Sequence, residues 1–174
     1  FNVYQEKGIN DGEQVIKLRV DNPPEFPYQF QIKAKNTLSI TAGSHSQIKF
    51  FGRLLSSEME KGLIEVLVEN KSGSKKKILR YFVELSEEWS EHIIPFKFKK
   101  AHSSGEVQVC IRAGYFKQTL ELKKISVKVF PSDQIDTYEF YKSLFTYNKN
   151  NSEWKKASIE KISEIRKGPI EVNI

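Results

Sequence analysis

Apolar and polar residues alternate with a period of two along short runs, and turn-forming residues interrupt the pattern at 10–12, 22–27, 35–36, 42–45, 70–74, 86–88, 102–105 and 131–133. The runs fall at 14–21, 28–33, 46–53, 63–69, 78–85, 93–98, 107–113 and 119–130. In 14–21 the inward set is Ile16, Leu18 and Val20; in 78–85 it is Leu79, Tyr81, Val83 and Leu85. Successive strand side chains point to opposite faces, so each apolar set is expected in a core and the other set on a second face. With hairpin-length connections and no helical pattern between them, about eight or nine strands argue for an antiparallel β-sandwich. Inside 119–130 the parity slips: Leu120 and Leu122 share one phase, Ile125, Val127 and Val129 the other. A bulge near Lys123 and Lys124 is the simplest cause.

After Pro131 the spacing becomes helical. Tyr138, Tyr141 and Phe145 fall on one face of a short helix. A second helix is predicted from Ser152 as N-cap to Lys167, with Gly168 as its stop and Trp154, Ala157, Ile162 and Ile165 as its apolar stripe. The expectation is therefore a β-sandwich over 1–131 and a mostly helical extension over 132–174. That extension would cover either the sandwich or a following domain.

Length and composition narrow the classes. The 174 residues are 39% hydrophobic with 12 Phe and 7 Tyr, enough for a core and unlike a disordered chain. A (β/α)₈ barrel, at roughly 250 residues, does not fit. The net charge of +6 favours anionic surroundings. Yet the tight basic run, Lys75 to Lys77, follows Ser72, Gly73 and Ser74 as in a loop, and no nucleic-acid-binding motif appears. A single cysteine, Cys110, excludes an internal disulfide and a cysteine-based zinc site. No apolar run reaches the ~18 residues of a membrane span. The chain starts at Phe1 without Met or a signal peptide, as expected of a piece of something longer.

Five segments carry a family likeness. Pro27 to Ile32 resembles the aromatic-x-x-Gln-aliphatic strand of carbohydrate-binding modules of the family 4, 9 and 22 type, and Phe50, Phe51, Gly52 and Arg53 resemble their Phe-Trp-small-Arg strand. Trp89 with Pro95 and Phe96 resembles their Trp strand, and Gly114 with 118–126 resembles their closing strand. Trp154, Ala157, Ile159, Glu160, Ile162 and 165–168 resemble the segment that joins such a module to a family 10 glycoside hydrolase barrel. The resemblance spans about residues 1–172. It implies a jelly-roll module that is not itself an enzyme, secreted or on the cell surface, holding polysaccharide such as xylan near a covalently linked, xylanase-like domain. It carries no cofactor beyond the structural calcium many such modules hold. Here Lys123 and Lys124 stand where the calcium-side acid would be, and Pro169 replaces the Asp that usually follows Lys-Gly.

Taken with that topology, strand parity puts Gln29, Gln31, Phe51, Arg53, Arg80, Phe82, Gln108 and Arg112 on one outer sheet face. Amides and guanidinium groups suit sugar hydroxyls, and Phe rings suit the C–H face of a pyranose. Arg53 and Arg112 are expected as exposed donors whose loss spares stability. The same face reads equally as a structural or interdomain surface, because outward positions of antiparallel sheets are polar by default. Tyr28 shares parity with Phe30 and Ile32 and is expected in the core; Trp89 is expected in core or edge packing. Catalysis finds no support: His45, His92 and His102 lack metal-ligand spacing, and no carboxylate pair is placed in a cleft.

Overall fold

The computed structural model describes residues 3–10, 13–71 and 77–131. The helices expected at 132–174 and the loop at 72–76 lie outside the described residues.

Among the described residues nine strands form two antiparallel sheets. The strands are β1 (Val3–Asn10), β2 (Glu13–Val20), β3 (Gln31–Lys35), β4 (His45–Ser57), β5 (Gly62–Asn70), β6 (Lys77–Leu85), β7 (Ser90–Lys97), β8 (Val107–Arg112) and β9 (Gln118–Phe130). One sheet has the order β1-β2-β9-β4-β7 and the other β3-β8-β5-β6. No helix among the described residues is long and apolar enough to cross a membrane. The sequence pattern anticipates β2 to β9. It misses β1, whose apolar Val3, Tyr4 and Ile9 share no single parity; β1 is defined instead by backbone pairing with β2 from Val3↔Val20 to Asn10↔Glu13.

The two apolar faces meet in one cluster. Ile48, Phe50 and Leu54 of β4 and Leu120 and Leu122 of β9 join Ile64, Val66 and Val68 of β5 and Val83 and Leu85 of β6. Each such side chain contributes roughly 1.5–3 kcal/mol by leaving water. At Gly52 a Cβ would come within 2.8 Å of Leu85 Cδ2 and 3.3 Å of Leu122 Cδ2, so the missing side chain lets Leu85 of the opposite sheet approach the β4 backbone.

The parity slip in β9 is a bulge. Lys49 faces Ser126 but Phe51 faces Lys123, so Lys124 and Ile125 together oppose Phe50. Lys124 takes a left-handed φ of 53° to make that turn. The bulge keeps Leu120 and Leu122 before it, and Ile125 after it, on the core side.

Three parity expectations are corrected. Tyr28 is 50% exposed and stacks on Phe26 with ring centroids 5.3 Å apart. Pro27–Gln29 forms a 3-10 turn, and two-residue alternation fails where the chain is not extended. Tyr81 is exposed despite its inward parity because β6 is a sheet edge with a neighbour on one side alone. Val127 and Val129 are also exposed; they border an open cavity shared with residues 35–41.

Candidate ligand-binding face

Strand register builds the outer face of the four-stranded sheet in rows that cross β3, β8, β5 and β6. One row is Gln31–Arg112–Glu65–Phe82, and the next is Lys33–Cys110–Leu67–Arg80. A third begins Lys35–Gln108–Glu69 and reaches Lys77 across a register shift. On β5 both parities are buried. Ile64, Val66 and Val68 lie in the core, while outward Glu65, Leu67 and Glu69 are 1%, 0% and 5% exposed. β5 is thus the floor of this face, and Phe82 of the edge strand β6, 45% exposed, stands at its rim.

Glu65 is the hub. Arg80 Nε donates to its Oε1, Arg112 Nη1 donates to its Oε2 at 3.2 Å, and the Tyr115 hydroxyl bonds it from the turn after β8. Burial alone would raise the Glu65 pKa. The bonds from Tyr115 and Arg80 and the charges of Arg80 and Arg112 outweigh it and hold the carboxyl below its usual range. Burial and the Glu65 bond push the Tyr115 phenol up to about 12. Arg112 Nε also donates to Gln31 Oε1 at 3.3 Å, its Nη2 lies 3.8 Å from Glu69, and Gln108 Nε2 donates to Glu69 Oε1 at 2.6 Å. Beside this network Tyr115 meets Phe82 edge to face at 5.7 Å, and the Arg80 guanidinium lies 5.1 Å from the Phe82 ring centroid.

The groups on this face are poorly suited to acid–base or nucleophilic chemistry. A carboxylate fixed between two guanidinium groups is a poor general acid, and a phenol near 12 is a poor acid or base at neutral pH. Burial, followed by the charge of Glu69, drives the Cys110 thiol up to about 11, so it is a weak nucleophile. What remains is a set of oriented N–H donors and carboxylate acceptors beside an aromatic ring.

Of the eight residues expected on one face, Gln31, Arg80, Phe82, Gln108 and Arg112 come together here. Gln29 lies just before β3, where its Oε1 accepts the Phe26 backbone N–H at 3.0 Å and caps its own turn. Phe51 and Arg53 are corrected: β4 pairs with β7 and β9, which puts both on the opposite sheet. There Arg53 bonds Glu121 at 2.7–2.8 Å and lies 4.8 Å from the Trp89 ring, which Lys123 also approaches at 4.5 Å. Trp89 is half-buried beside these two cations. Lys124 lies 5.7 Å from the Phe51 ring. Two ammonium groups on aromatic rings do not suit the calcium that the resemblance would put near them. Among the described residues no group of three His, Cys, Asp or Glu could hold a metal ion.

Arg112 is corrected too. Its side chain is 14% exposed and holds buried Glu65, so it is structural as well as a donor. Sequence reasoning missed Glu65, Glu69 and Tyr115. The first two left a signal, because carboxylates at outward parity in the otherwise apolar run 63–69 need partners on the neighbouring strands.

No family model and no curated protein matches the chain. Solved structures do. A CBM4 module aligns with a TM-score of 0.59 and 14% identity over 73% of this chain and 77% of that one. The N-terminal cellulose-binding domain of Cellulomonas fimi β-1,4-glucanase C aligns at 0.51 and 12% identity, over 67% and 77% of the two chains. The Clostridium thermocellum endo-1,4-β-D-xylanase 10B, as CBM22-1 and GH10 modules complexed with xylohexaose, aligns at 0.52 and 11% identity, over 73% of this chain and 24% of that one. At these identities the likeness is one of fold, and the chain has the antiparallel jelly-roll sandwich of the carbohydrate-binding modules.

Proposed function

We propose that this chain is a non-catalytic module that binds polysaccharide, a xylan or related hemicellulose, across the outer face of its four-stranded sheet. The row Gln31–Arg112–Glu65–Phe82 carries the reading. It spans three strand spacings, about 14 Å, and combines fixed donors and acceptors with an exposed ring beside them. The ion network holds these groups in place before a ligand arrives, which lowers the ordering cost of binding. Sugar hydroxyls can accept from Arg80, Arg112 and Gln31, whose side chains the buried carboxylates of Glu65 and Glu69 hold in place. In this reading residues 1–131 are the binding module and 132–174 lead to a linked family 10 glycoside hydrolase outside the cell.

Calorimetry against soluble plant polysaccharides tests the proposal. Saturable binding of xylan or a related hemicellulose, weakened at least tenfold by Phe82→Ala, is the expected result. Absence of binding to every polymer overturns it and assigns the face to a structural contact with a neighbouring domain.

A further inference from the structure

The far end of the same face has an unbalanced charge that the binding row does not use. Outward parity on β5 continues from Glu65, Leu67 and Glu69 to Lys71, which follows the strand and is anchored by its backbone N–H to Glu106 O at 2.7 Å. On β3 the same parity gives Lys33 and Lys35, and Lys35 is paired in register with Gln108, which lies between β3 and Glu69 of β5. Lys33, Lys35 and Lys71 are all exposed.

The nearby carboxylates are directed elsewhere. Glu69 accepts from Gln108 and faces Arg112, while Glu106 accepts the Ser103 N–H at 2.8 Å within its own turn. Among the described residues no carboxylate lies within ion-pair distance of Lys33, Lys35 or Lys71. The Lys35 and Lys71 amines lie near each other at this end of the face, and the nearness of the Lys35 amine, then its charge, lowers the pKa of Lys71. Two ammonium groups this close repel, and an anion between them would replace the repulsion with two attractions.

We propose that this lysine pair binds a carboxylate on the bound polysaccharide, so that the preferred ligand is a hemicellulose bearing uronic acid groups rather than a neutral one. The proposal rests on the glycan reading above and gives it a direction. The chain lies across the rows from β6 to β3, and an acidic branch reaches along β3 and β5 toward Lys35 and Lys71. A net charge of +6 on the whole chain attracts such a polymer in general. The lysine pair adds a local site whose contribution disappears when the carboxyl group is removed.

The test uses glucuronoxylan, the same polymer after reduction of its carboxyl groups, and dextran sulfate as a polyanion of unrelated backbone. At low salt glucuronoxylan is expected to bind about tenfold tighter than its reduced form, a difference of ~1.4 kcal/mol. The double variant Lys35→Ala/Lys71→Ala should abolish that difference and leave affinity for the reduced polymer and the melting temperature unchanged. Equal binding of the two xylans by the unmodified protein overturns the carboxylate site while the glycan reading stands. Binding of dextran sulfate as tight as glucuronoxylan overturns it in favour of unspecific charge attraction. Binding of none of the three polymers overturns both readings.

Discussion

The outer faces of the two sheets use the same residue types to opposite ends. Each has an arginine, a glutamate and aromatic rings. On the five-stranded sheet Arg53 meets Glu121 across β4 and β9, with side chains 28% and 13% exposed, and the pair lies beside a cation-flanked Trp89. On the four-stranded sheet Glu65 is 1% exposed and is held by two arginines and a tyrosine. The difference lies in how the carboxylate is sealed. A partly exposed pair contributes little, because water competes for both partners. A buried carboxylate must keep every partner, and those partners then stand fixed at the surface. Depth at Glu65 is what turns a polar face into an organised one.

The largest expected effect is that of Arg112→Ala. Leaving buried Glu65 with fewer partners costs about 3 kcal/mol, a fall in melting temperature of roughly 6–12 °C, with glycan binding lost as well. Arg53→Ala, its counterpart on the other sheet, should cost under about 1 kcal/mol and leave binding intact. Differential scanning calorimetry on the two variants makes the comparison; equal losses would erase the distinction between the faces.

Acid sensitivity follows. Because the folded pKa of Glu65 is lowered, its contribution is fully present above the unfolded value of about 4.3. It is lost as pH falls through the folded value. A melting series from neutral pH downward should stay flat for this group to about pH 5 and then decline. Glu65→Gln removes that part of the decline. An unchanged acid limb in Glu65→Gln would show that the carboxylate is not the charged hub of the sheet.

Smaller effects sharpen the contrast. Phe82→Ala should weaken polysaccharide binding at least tenfold and barely change the melting temperature, since the ring is 45% exposed. Phe51→Ala on the opposite face should leave affinity unchanged. Lys124→Gly should raise stability by about 0.5 kcal/mol, because φ at this bulge is 53°. Binding should not respond to it.

Period-two patterning made β2 to β9 and the Lys124 bulge legible, because a half-buried strand must alternate. The sheet assignment was less so. Parity says inward or outward but not which sheet a strand joins, and Phe51 and Arg53 share outward parity with residues that β4 never neighbours. Tyr28 misled for a different reason: Pro27 opens a turn, and alternation carries no information there. The center of the site was hidden in plain composition. Glu65 and Glu69 are two ordinary glutamates until pairing with β8 and β6 gives them Arg112, Gln108 and Arg80 as partners.

The proposed function assigns recognition to the sealed face and not to the open one. Amide chemical-shift mapping during titration with a xylo-oligosaccharide addresses it directly. The account predicts perturbations along Gln31, Arg112, Glu65 and Phe82 and at Tyr115, with Phe51, Arg53 and Glu121 silent. Perturbations centered on Phe51, Arg53 and Trp89 would contradict it.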